Sequence, residues 1–454
     1  MFHHNFPVFT LHTGYVKMPD DIKNNFTGDF HMKKFLLYPK SGTEKAAVFW
    51  NLMASGLNSV VSIILLLFVT RIAGTEDAGI FSLGFSTAQM MLCIGNYGMR
   101  NFQSTDIKDK YAFGTYLGSR ILTSTAMMII SILFVIVKGY YPEKALIVVF
   151  LCLLKVTDAV DDLYGGFFQR NGRLDISGKL LFLRVFAYCT AFLVVLLISG
   201  NVMTAILASI LVSVLMLVFL LLLTKDAFSF SVRSFSMASI GRLLVECFPL
   251  CLGAFLLIYL GNAPKYAIDS YLSSTMQAYY TYLFMPCFVI NLLVGFVLQP
   301  VLVKLTVLWE QKKNQAFLKY CFLMHLAALG ISLVILLGGA ILGCPVLSLV
   351  FGVNLNSYSA VLDVLLIGGG FFALAVIDQV ILTIMRHQYA MLWGFGLASL
   401  FATVLSPVLV KSMGLMGTAL AYTCSDAILF LIFLLFILFY YRKERCSRQS
   451  VPKM

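Results

Sequence analysis

Residues 49–100 read FWNLMASGLNSVVSIILLLFVTRIAGTEDAGIFSLGFSTAQMMLCIGNYGMR, two long apolar runs joined by a short charged turn. The first run ends at Arg71, Glu76 and Asp77 follow within one turn, and Arg100 closes the second run. A helix needs about 20 mostly apolar residues to cross roughly 30 Å of hydrocarbon. Both runs meet that requirement, so the stretch reads as a transmembrane helical hairpin. Gly74 and Gly79 permit a tight reversal at the membrane surface. The long stem of Arg71 lets it reach outward to lipid phosphates, with Glu76 and Asp77 close enough to pair.

The rest of the chain repeats this pattern. Of its 454 residues 60% are hydrophobic and 12% charged, and the mean hydropathy is +0.90. Soluble domains carry about twice that charge. Twelve apolar segments follow one another at 46–69, 78–99, 117–137, 144–168, 180–198, 202–223, 243–263, 278–303, 317–342, 361–385, 390–410 and 416–441. The expectation is an all-α polytopic membrane protein. Placing the N-terminus inside puts nearly every Lys and Arg on the cytoplasmic side, leaving Arg71, Lys138, Lys144, Lys265 and Lys411 outside. Both termini are then cytoplasmic. The net charge of +12 is thereby a matter of topology and anionic lipid contact, not of nucleic-acid binding. The ten cysteines form no CxxC pair, and neither a disulfide framework nor a zinc site is expected. The start lacks the basic-then-apolar order of a cleavable leader, and Met32 is an equal candidate for the initiating residue.

The Ser- and Phe-rich linker 224–242 falls after six segments and before six more. This divides the chain into a 1–45 extension, lobes at 46–223 and 243–441, and a basic tail at 442–454. Asp162 to Arg170 and Asp378 to Arg386 share one spacing near the inner ends of the fourth and tenth segments. Such a match suits parallel repeats around a central cavity.

The pattern TRIAGTEDAGIFSLGFS with YGMRNFQ resembles Wzx-like polysaccharide flippases of the multidrug/oligosaccharidyl-lipid/polysaccharide superfamily. YGGFFQRNGRLDISGKLLFLR after the fourth segment and FMPCFVINLLVGFVLQPVL in the second half are similar too. The resemblance covers roughly residues 46–440. It implies a MATE-like fold of two six-helix lobes in the cytoplasmic membrane. It also implies movement of undecaprenyl-pyrophosphate-linked oligosaccharide between leaflets. Polysaccharide polymerase and initiating glycosyltransferase are the partners it implies, and a monomer is expected.

Charges inside the segments carry the functional signal, because each costs about 2.5–3.5 kcal/mol at the bilayer centre. The fourth segment holds Lys155, Asp158, Asp161 and Asp162. Lys155, Asp158 and Asp162 share a helical face, which suits either an internal ion pair or a cavity wall with a cation-coupling carboxylate. Glu246, Asp378 and Asp426 are further candidates for cavity or coupling roles, while Asp363 reads as a helix cap. His325 reads as a satisfied buried histidine, with a proton relay the alternative. If the substrate is a pyrophosphate, Arg100, Arg120, Lys155 and Arg184 are the candidate partners for its oxygens. Tyr271, Tyr279, Tyr280 and Tyr282 read as an interfacial belt, with sugar stacking the alternative. Pro249, Pro264, Pro286 and Pro300 mark sites of bending in the seventh and eighth segments.

No GxSxG, P-loop or HExxH motif is present, so ATP-driven or hydrolytic chemistry has no motif to support it. No cofactor is expected; Na+ or H+ are the candidate coupling ions. A MATE-like cation-coupled multidrug exporter shares the expected fold and the intramembrane acids, and is the alternative function.

Overall fold

The computed structural model describes residues 27–38, 44–106, 110–225, 228 and 236–449. Most of the 1–45 extension, the middle of the 224–242 linker and the end of the tail lie outside these. All regular structure among the described residues is helical. In chain order the helices are α1 Thr27–Leu37, α2 Glu44–Ile72, α3 Thr75–Asn96, α4 Met99–Thr105 and α5 Phe113–Lys138. Next come α6 Pro142–Arg170, α7 Leu174–Ser199, α8 Val202–Thr224, α9 Met237–Tyr271 and α10 Ser274–Glu310. The last are α11 Asn314–Gly338, α12 Cys344–Phe351, α13 Ser359–Ile384 and α14 Gln388–Gln449.

Ten helical segments are long and apolar enough to cross a membrane. α6 falls short only through its charges, yet it is 29 residues long and packs against α3, α5, α7 and α8 inside the bundle. α14 counts as one segment although Gly414, at φ 58° and ψ −132°, interrupts it where the sequence places a turn between two spans. Packing falls into two groups. α2 lies on α7, α3 on α6 and α7 on α8; α9 and α13 lie on α14, and α10 on α13 and α11. α3 belongs to both, because it also packs on α9 and α10. That central position shows in burial: the apolar window of Thr75–Thr105 is 78% enclosed, against 6% for Asn314–Phe351, which faces lipid.

The opening hairpin forms as expected, with a different use of its polar residues. Gly74 enters α3 at φ 97°, a backbone that favours glycine. Gly79 serves packing rather than reversal: a Cβ there would lie 1.8 Å from the Ser274 carbonyl oxygen, so its absence lets α3 touch the start of α10. Among the described residues Arg71 pairs with neither Glu76 nor Asp77. It donates to the carbonyls of Leu349 and Val350, capping α12 across the bundle. These carbonyls have no partner within their own helix, and a guanidinium satisfies them with several donors.

Three other expectations change. α9 continues through Pro264 to Tyr271, because neighbouring helices tolerate a proline bend in a membrane. Tyr280 and Tyr282 are fully buried instead of interfacial; Tyr282 stacks on Phe351 at 4.1 Å and shares a 2.7 Å hydrogen bond with Thr70. Asp363 lies within α13, whose N-cap is Tyr358, so it is not the cap. Replacing Gly79 with Leu is expected to cost about 1–3 kcal/mol by overpacking against backbone. Thermal unfolding of the purified protein should show the melting temperature falling for Gly79→Leu.

Candidate functional site

The fourth apolar segment became α6, and its charges are neutralised sideways. Lys155 pairs with Asp158 at 2.7 Å along the helix. Asp158 and Asp161 both take Arg184 from α7, at 2.8 and 3.1 Å. Arg184 also donates to Thr157 and to Ser213 of α8, each at 3.0 Å. One turn on, Asp162 faces the other way, to Arg120 of α5 at 2.9 Å and Arg100 of α4 at 3.6 Å. Arg120 is buried and donates also to the Gly95 carbonyl at the end of α3. Arg100 is the outlying member, 29% exposed, reaching Gln169 and Ser177 at 3.4 Å. The four candidate phosphate partners thus fall into two clusters on α6: Lys155 and Arg184 balance Asp158 and Asp161, while Arg120 and Arg100 share Asp162 and leave one positive charge over.

Asp106 fixes the chain beyond α4. It accepts from the backbone N–H of Lys110 and Tyr111 and from the Tyr116 hydroxyl. Burial opposes its charge, but these donors and nearby Arg170 outweigh it and hold the carboxyl below its ordinary value. Lys110 in turn pairs with Glu246 of α9 at 2.7 Å, in an exposed contact. Asp378 pairs with His325, so the histidine has partners as expected. Asp426 is buried beside Tyr422, and its Oδ2 lacks a hydrogen-bond partner.

None of these charged residues lines the main cavity, which the structure places between the two packing groups. It has a volume of about 560 Å³ and is walled by α2, α3, α9, α10, α13 and α14. Asn58, Ser59, Ser62, Ser82, Ser86, Gln89, Asn262, Thr281 and Asn291 supply uncharged polar groups; Phe81, Phe85, Phe284, Phe288, Phe372 and Tyr422 supply aromatic faces. Asn58 Oδ1 and Asn291 Oδ1 are buried acceptors with no partner. One lining residue is charged, Lys265. It is 7% exposed, donates to Ser86 at 2.8 Å and stands 5.6 Å from the Phe284 ring. Among the described residues no carboxylate pairs with it. Lys155, by contrast, lies behind the wall, over the far side of Phe85. Sequence analysis bounded the seventh segment at 263 and so left Lys265 outside; in the structure α9 runs on to Tyr271 and carries Lys265 within it.

Polar ties across the cavity differ between its two ends. At the Arg71 end, Asp269 of α9 accepts from Tyr140 at 2.6 Å and pairs with Lys144, both from the start of α6 and the turn before it. The side chains of Asp269 and Lys144 are 3% and 11% exposed. Thr281 reaches Ser82 at 3.2 Å nearby. At the Arg100 end the charged tie is the exposed Lys110–Glu246 pair. The polar ties at the Arg71 end are thus buried, while the Arg100 end is also packed by the buried residues Met99, Tyr116, Leu243 and Cys247.

A helical membrane bundle of two packing groups around a cavity has the fold of known transporters. A multidrug resistance MATE family transporter of the MOP superfamily, in an inward-facing conformation, superimposes with a TM-score of 0.64 at 11% identity, covering 86% of this chain and 96% of that one. The lipid II flippase MurJ in an inward closed conformation gives a TM-score of 0.67 at 14% identity, covering 85% and 87%. A Vibrio cholerae MATE transporter, VcmN, gives 0.54 at 13% identity, covering 92% and 99%. The polysaccharide biosynthesis protein family matches residues 45–306, and the chain belongs to that family. No curated protein matches it.

Replacing Arg184 with Met leaves the buried Asp161 without an ion-pair partner and Asp158 with Lys155 alone, and is expected to cost about 3–5 kcal/mol. Adding Asp161→Asn should recover part of that loss in thermal unfolding. For Asp106 the sign follows from its lowered value: its stabilisation is complete above about pH 4 and fades as pH falls through the folded-state value. Asp106→Asn should therefore lower the melting temperature equally at about pH 7 and 5, with the gap narrowing below about pH 4.

Proposed function

We propose that this protein is a flippase that moves undecaprenyl-pyrophosphate-linked oligosaccharide across the cytoplasmic membrane for surface-polysaccharide assembly. The observation that carries the reading is Lys265: one buried, unpaired cation in a cavity otherwise lined by hydroxyl, amide and aromatic groups. An ammonium without a counter-ion in low dielectric favours an anionic ligand. Amides, hydroxyls and aromatic faces suit sugar hydroxyls and ring faces. A cavity with one cation and no lining carboxylate is a poor receptor for a cationic drug, which weighs against the exporter alternative.

In this reading α6 and both legs of α14 also span, giving twelve crossings with both termini cytoplasmic. The Arg71 end, with its buried Asp269 ties, is then the outer one. Arg100, the exposed member of the α6 clusters, meets the pyrophosphate at the inner mouth, with Arg120 and Arg184 behind it. Alternating access requires the Asp269 ties to part while the inner ends close. The protein works as a monomer that receives its substrate downstream of an initiating glycosyltransferase and delivers it to a polymerase.

Deleting the gene and identifying lipid-linked intermediates by mass spectrometry tests this directly. Accumulated undecaprenyl-pyrophosphate oligosaccharide with lost surface polysaccharide is the expected result. An unchanged lipid pool with new sensitivity to cationic drugs would instead identify an exporter. A charge-assisted hydrogen bond is worth about 1.5–3 kcal/mol. Lys265→Gln should accordingly lower polysaccharide output roughly 10–100-fold, while Lys265→Arg retains most of it, both scored in the complemented deletion strain at matched expression.

A further inference from the structure

His325 lies on α11, 11 residues from its start, about 16 Å along a helix rising 1.5 Å per residue. Its Nδ1 is 2.8 Å from the Cys321 carbonyl oxygen one turn back, and its Nε2 is 3.0 Å from Oδ1 of Asp378 on α13. A carbonyl oxygen can only accept, so Nδ1 must carry hydrogen. A neutral imidazole protonated at Nδ1 presents a lone pair at Nε2, and an ionised carboxylate presents another at Oδ1. Two facing lone pairs at 3.0 Å repel. One further proton, held formally by either atom, turns the contact into a hydrogen bond and makes the pair neutral overall.

The surroundings supply no other compensation. Asp378 is fully buried, and its Oδ2 has no hydrogen-bond partner. No Lys or Arg among the described residues pairs with it. The ionisable group that faces it besides His325 is the Cys321 thiol of α11. α14 presents the Phe430 ring, 6.2 Å from the imidazole. Loss of the proton therefore leaves an uncompensated negative charge between two helices inside the bundle, a state that burial strongly disfavours.

We propose that the His325–Asp378 pair is a one-proton carrier that couples proton movement to the packing of α11 on α13, and through it to the transport cycle. The coupling part rests on the flippase reading above; the proton site does not. When the proton is bound, Nε2 and Oδ1 share it and hold α11 to α13. When it passes to water, the neutral imidazole and the carboxylate repel, and α11, which otherwise packs mainly on α10, is released from that contact. Each cycle thus takes one proton into the pair and returns one to solvent.

Nitrogen-15 NMR of histidine-labelled protein in lipid nanodiscs tests the site, with the His325 signals assigned by difference from His325→Gln. The expected result is hydrogen on Nδ1 at every pH and a one-proton step at Nε2 whose midpoint moves by about one pH unit or more in Asp378→Asn. An Nε2–H tautomer with bare Nδ1, or an unmoved midpoint, would overturn it. Since the tautomer is read on the wild-type protein, a variant that folds poorly does not leave the question open. For coupling, polysaccharide output of the complemented deletion strain is measured with and without nigericin to collapse the pH gradient. Wild type should fall several-fold, and Asp378→Asn should be low and indifferent to nigericin. An Asp378→Asn protein with wild-type output and wild-type gradient dependence would sink the coupling. If wild type itself restores no polysaccharide, the flippase reading fails, while the NMR result still decides the proton site.

Discussion

Pairing of charge within the hydrocarbon is the constraint on which this bundle depends. α6 carries four ionisable side chains where each unpaired one costs about 2.5–3.5 kcal/mol. Arg184 from α7 and Arg120 from α5 answer its three carboxylates, Ser213 of α8 joins the Arg184 cluster, and the Gly95 carbonyl ties in α3. The first group of helices is therefore assembled around a polar axis as much as by apolar packing. Removing one partner is costly because the rest cannot reach water.

Against that background Lys265 stands apart. It is buried like Arg120 and Arg184, but its contacts are a serine hydroxyl and an aromatic ring. The energetic penalty left uncompensated there is what an anionic ligand would relieve. His325 and Asp378 present the converse case, in which a carboxylate has an imidazole for a partner and the missing neutraliser is a proton. Both sit in the second group of helices, where no arginine network like that of α6 exists among the described residues.

The polar ties at the two ends of the cavity differ in burial. Asp269, Tyr140 and Lys144 make a buried tie between the groups at the Arg71 end, whereas the Lys110–Glu246 pair at the other is exposed and stands beside the buried residues Met99, Leu243 and Cys247. Buried ion pairs are held strongly when intact and are expensive to leave half-made.

Hydropathy alone determined that the chain is a helical membrane bundle, because apolar runs of bilayer length admit no other structure. The gap between the apolar segments 390–410 and 416–441 marked the break in the last helix, and the spacing in α6 announced the Lys155–Asp158 pair, since both follow from local sequence. The family likeness was legible in the same stretches. What the sequence could not rank was charge by destination. Asp158 and Asp162 share a helical face but serve different neighbours; Arg71 seeks carbonyls 279 residues away; Lys265 fell beyond the seventh segment until α9 ran on to Tyr271. Which charge lines the cavity and which merely neutralises a neighbour is decided by contacts between distant segments, and those exist only in the packed bundle.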